Sequence, residues 1–88
     1  MAERTDDEML AKLIERSRLL IALDDEIPVE TKLQTQPLLK QLEQLLAEVA
    51  GERDLGRIES THALLRRELA EFPNIDALLG AMENFLPR

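Results

Sequence analysis

Pro37-Leu38-Leu39-Lys40-Gln41-Leu42-Glu43-Gln44-Leu45-Leu46-Ala47-Glu48-Val49-Ala50-Gly51 is the stretch whose reading decides the fold. A proline fits the first turn of a helix, where its missing N–H has no partner to lose. A glycine at the far end fits a left-handed C-cap, and Gly51 stands there. Between them Leu38, Leu39, Leu42, Leu45, Leu46 and Val49 recur at helical spacing. They fill an arc about 140° wide, while Lys40, Gln44, Ala47 and Glu48 face away. A face this broad needs two neighbouring helices, and the remaining chain is read as the material that covers it.

Composition agrees. The 88 residues form one expected domain, residues 1–88, small enough that its stability margin is thin. Eighteen leucines, two phenylalanines and no Trp or Tyr make an aliphatic core. With only two valines and five isoleucines, strand formers are scarce and the fold class is all-α. The net charge is −7. Residues 1–30 hold four basic and nine acidic groups, and residues 31–88 hold seven and nine. An acidic surface poor in aromatics offers neither phosphate neutralisation nor stacking platforms, which argues against direct nucleic-acid binding. It serves solubility or favours a basic partner. The absence of cysteine removes disulfides, thiolate chemistry and Cys-based zinc sites. No segment is apolar enough to span a membrane and Met1–Asp7 does not read as a signal peptide, so a cytoplasmic protein is expected.

Along the chain, residues 1–4 are expected to be disordered, and Thr5 with Glu8 forms a capping-box pattern. A first helix over 6–23 then carries Met9, Leu10, Leu13, Ile14, Leu20 and Ile21 on its main stripe, with Ser17 inside it. Leu19 and Leu23 lie off that stripe. Residues 24–36 read as a connecting segment, because Leu33 falls out of phase with the 37–50 helix; Pro37 marks a start or a kink, with Pro28–Gln36 as a short separate turn or an angled first segment. After a short connection, Asp54 is a candidate N-cap for a helix over 55–72. That helix has a narrow seam of Leu55, Ile58, His62, Leu65, Leu69 and Phe72, and Leu64 projects off it. Pro73 ends the helix, and Asn74 is read as the cap of a last one over 75–86. Its Gly80 sits on the polar face, with no expected packing role. Four helices with short later loops favour an up-down-up-down bundle.

Only His62 invites a mechanism. The structural reading hydrogen-bonds it in the core to a neighbouring helix or to Glu59. A metal alternative uses the Glu59-x-x-His62 spacing, which resembles that of carboxylate-bridged di-iron bundles. A full site would need a second such motif from another copy. A third reading resembles histidine phosphotransfer domains in architecture alone, since Ala63-Leu64-Leu65 follows the histidine where those domains carry Lys-Gly. No family is identified by these residues. Ser17 and Ser60 lack a nucleophile signature and no glycine-rich phosphate loop exists, so neither an enzyme nor a cofactor is expected. The expected function is a protein–protein interaction module, such as an adaptor, chaperone-like partner or regulatory subunit. Its partner would be another protein or its own copy, met through Leu19, Leu23 and Leu64.

Overall fold

A computed structural model describes the backbone of residues 2–87 and the side chains of residues 6–49 and 51–87. Among these residues the chain forms four α-helices: α1 (Ala2–Leu23), α2 (Val29–Ala47), α3 (Leu55–Glu68) and α4 (Pro73–Glu83). Each helix packs on the next and α4 returns to α1, so the four close a ring. The expected all-α four-helix bundle is the fold. In this ring α1 stands diagonally across from α3, and α2 from α4.

Leu10, Ile14 and Ile21 of α1, Leu39 and Leu42 of α2, Ile58 and Leu65 of α3, and Ile75, Leu79 and Met82 of α4 fill the core. Ile27 plugs one end from the α1–α2 loop, and Leu69 joins from the loop after α3. Met9, Leu20 and Leu55, expected on the stripes, lie instead at the margin of the core and stay partly exposed. Two polar side chains are fully buried in the first two helices. The Ser17 hydroxyl donates to Leu13 O at 2.8 Å, and that of Thr35 donates to Thr31 O at 2.7 Å. Each satisfies itself one turn back in its own helix, so neither requires a partner across the core.

The largest departure from the sequence reading concerns α2. It begins at Val29, so the connecting segment shrinks from 24–36 to 24–28 and Pro37 sits inside the helix. A mid-helix proline withdraws the hydrogen bond to the carbonyl four residues back, here that of Leu33. Leu33 and Pro37 share the solvent side, where water can satisfy that carbonyl. Thr35, Leu39 and Leu42 meanwhile bury the opposite face, and packing carries the helix through the proline.

Gly51 does not cap α2 in the left-handed region, because no glycine has positive φ. It lies in a short 3-10 turn, Ala50–Glu52, and Val49 is outside the helix and exposed. The cap comes from further on. Arg53 folds back so that Nη2 donates to Leu46 O at 2.7 Å and Nε donates to Glu48 O at 3.1 Å. It also pairs with Asp7 of α1 at 3.3 Å, and its side chain is only 11% exposed. Because α2 has no basic residue in its own last turn, Arg53 brings the cation its dipole lacks.

The other ends also differ. Since α1 begins at Ala2, Thr5 and Glu8 lie within it rather than forming a capping box at its start. Residues 2–4, expected to be disordered, belong to that helix, and Met1 is outside the described residues. Asp54 does cap α3, accepting from the Arg57 N–H at 3.1 Å. The 55–72 helix stops at Glu68, with Leu69 as its C-cap. In α4 the N-cap is Phe72, not Asn74, and Pro73 occupies the first turn, where a proline is well suited. The helix closes at Glu83, three residues before the expected 86. Gly80 has no close packing to protect, since a Cβ there would meet the Arg66 guanidinium at 3.6 Å, an ordinary contact. The Arg66 guanidinium lies over it while bonding Asp76 and Glu83, 3.4 and 3.2 Å away.

Candidate functional site

The outer side of the α1–α2 pair is built from two rows of residues. On α1, Ala11, Glu15, Arg18 and Ala22 follow one another at steps of four, three and four, and so line one edge. On α2, Val29, Leu33, Gln36, Lys40 and Glu43 do the same. The alanines leave room between the helices. One hollow of about 650 Å³ includes Leu19, Ala22, Gln36 and Glu43, and a neighbouring one of about 570 Å³ includes Ala22, Leu33 and Pro37. The two share Arg18, Ala22 and Gln36, so they form one groove along the seam.

Polar side chains tie the groove floor. Lys32 Nζ donates to Ala22 O at 3.1 Å and Gln36 Nε2 donates to Arg18 O at 3.2 Å. Arg18 faces Glu43 at 3.6 Å, but both are about half exposed and such a pair contributes little stability. The hollow at Leu33 is lined by Arg18, Lys32 and Lys40 without a carboxylate, a locally positive patch on an acidic chain.

At the loop end of this face stand four large aliphatic side chains in water. Leu19 is 57% exposed, Leu23 75%, Val29 68% and Leu33 70%. Leu19 and Leu23 are one turn apart on α1, and Val29 and Leu33 one turn apart on α2. Leu64 is also partly exposed, at 39%, but it belongs to α3, at the corner opposite α1. The fold therefore groups Leu19 and Leu23 with Val29 and Leu33 rather than with Leu64. The phase of Leu33 is legible in the sequence, but it has no use while residues 29–36 read as a connection.

His62 is buried on α3, and its Nε2–H donates to Leu79 O of α4 at 2.6 Å. That bond is the expected tie to a neighbouring helix. A phosphoacceptor role at Nε2 would require breaking this bond inside the bundle. Among the described residues no three His, Cys, Asp or Glu side chains converge as a metal site. Glu59 and His62 would thus need ligands from elsewhere.

No family model, no curated protein and no solved structure matches this chain. No described helix is long and apolar enough to cross a membrane.

Proposed function

We propose that this chain is a protein–protein interaction module whose docking surface is the outer face of α1 and α2. The observation that carries the reading is the set of four exposed aliphatics at one end of that face, Leu19, Leu23, Val29 and Leu33. The core does not need them, since each helix already has its own buried stripe. Each would contribute roughly 1.5–3 kcal/mol on full burial, and association costs take back part of that sum.

The partner is another protein or a second copy of the chain. Two copies would each bring a net charge of −7, which opposes self-association. The groove lining sets Arg18, Lys32 and Lys40 beside Glu15 and Glu43, which suits an apolar helix of another protein with charges of both signs on its flanks.

The test is a triple substitution, Leu19→Glu, Leu23→Glu and Leu33→Glu. All three side chains are more than half exposed, so helicity and the thermal transition should be nearly unchanged. Particle mass in light scattering should fall if the natural state is a dimer. Recovery of a partner from the native extract should be lost if it is not. A variant that keeps both its mass and its partner, or that unfolds, would show that this face is not the interface.

A further inference from the structure

The exposed aliphatic patch on α1 and α2 has opposite charge on its two sides. Beyond it, at the loop end, residues 24–30 hold four acidic side chains and no basic one. On the side of the helix bodies, residues 12–18 hold three basic side chains and one acidic, Glu15, while residues 31–40 hold two lysines and no acid. Glu43 stands further along the groove and faces Arg18. The partner this patch requires is an apolar helix pair flanked by charges of both signs, and the chain itself is one. We propose that the occupant is a second copy, in a two-fold dimer whose loop ends overlap so that the cationic side of each copy meets the anionic side of the other. The dimer uses the docking face proposed above and so rests on that reading.

A two-fold contact is made by the same patch on both copies, so the patch must complement itself. An axis running across α1 and α2 lays each helix antiparallel on its own copy. Leu19 then meets the partner's Leu23, and Val29 meets the partner's Leu33, because each pair is four residues apart and reverses onto itself. The same reversal carries Arg16, three residues before Leu19, to the partner's Glu26, three residues after Leu23. Symmetry makes that pair twice. Nothing within one copy competes for it, since both side chains are exposed and neither forms an ion pair among the described residues. Turning the copies the other way would set the two acidic loops side by side, which like-charge repulsion disfavours. The net charge of −7 opposes any pairing of copies, but at physiological salt charges more than about 8 Å apart are largely screened. Those bordering the patch decide. With the loop ends overlapped, the acids at residues 6–8 lie at the far ends of the dimer.

The experiment is sedimentation equilibrium of the full chain over a concentration series, with Arg16→Glu, Glu26→Arg and an equimolar mixture of the two variants. The unaltered chain should show a reversible monomer–dimer equilibrium, abolished by the triple substitution of Leu19, Leu23 and Leu33 with Glu. Each charge reversal puts two like-charged pairs into its own homodimer and should weaken it about tenfold. In the mixture both pairs are opposite in sign again, so a heterodimer should form with close to the original affinity. Glu26→Arg also lowers the net negative charge, so a dimer governed by overall repulsion would be strengthened by it, and that result would overturn the proposal. Should one charge variant fail to fold, the other decides. An unaltered chain that stays monomeric at millimolar concentration rejects the second copy as occupant, and recovery of a partner from extract then decides the docking face separately. A dimer that survives the triple substitution rejects both readings. A dimer lost with the leucines but indifferent to both charge variants rejects the two-fold arrangement and leaves the docking face standing.

Discussion

Replacing Arg53 by methionine tests how this bundle holds its longest loop end. The guanidinium makes two charge-assisted hydrogen bonds to carbonyls at the end of α2, at 2.7 and 3.1 Å, and one ion pair to Asp7. A hydrogen bond to a charged group contributes about 1.5–3 kcal/mol where it is shielded. A cation at a helix C-terminus adds about 0.3–1 kcal/mol, and an exposed pair such as that with Asp7 contributes about 0–1 kcal/mol. These contributions share one side chain and do not add, and water can reach the freed carbonyls once the side chain is shortened. The expected loss is about 2–3 kcal/mol, a fall in Tm on the order of 10–20 °C for a domain this size. Urea unfolding followed by far-UV circular dichroism would measure it, with an unchanged denaturant slope as evidence of an intact fold. Asp7→Asn removes only the exposed pair and should lose less than about 1 kcal/mol. Arg53→Lys keeps the charge without the two-pronged geometry and should fall between them. If Arg53→Met loses no more than Asp7→Asn, the capping role is wrong and α2 is stopped by something else.

Two further substitutions probe α2. Leu42 is fully buried, so Leu42→Ala should lose about 2–5 kcal/mol, whereas the half-buried Leu45 should lose clearly less; equal losses in urea melts would contradict the observed facing of the helix. Pro37→Ala restores a donor for Leu33 O within a continuous helix and should raise stability by about 1–2 kcal/mol after the lost rigidity of the unfolded chain is counted. A drop in stability would mean that residues 29–36 and 38–47 are not one continuous helix.

Much of the bundle was legible because apolar spacing is a local signal. The buried sets of α3 and α4 match their sequence stripes in Ile58, His62, Leu65, Ile75, Leu79 and Met82. Pro37 misled because proline lowers helix propensity at one point, while the burial of Thr35 and Leu39 that overrides it is a tertiary effect. Gly51 misled in a similar way. A glycine after a leucine run suggests a left-handed cap, but Arg53 does the capping from beyond the turn, and nothing local marks which carbonyls an arginine will reach. Leu19 and Leu23 were visible as off-stripe residues. Their grouping with Val29 and Leu33 required knowing that α2 starts at Val29 and lies against α1. The seam position of His62 pointed it toward the core without settling its burial, and its bond to Leu79 O depends on how α3 and α4 are placed.

The ring order of the helices bears on the route by which the chain folds. Three of the four helix interfaces join sequence neighbours across loops of a few residues, but α1 meets α4 only after about fifty residues of intervening chain. Closing a loop that much longer costs about 2 kcal/mol more in chain entropy, which places the α1–α4 seam late in folding. Detaching α1 would require it to leave α2 as well as α4, turning about residues 24–28. A freed α1 of this kind is what domain swapping uses, and another copy's α2 and α4 would offer it the same groove it left.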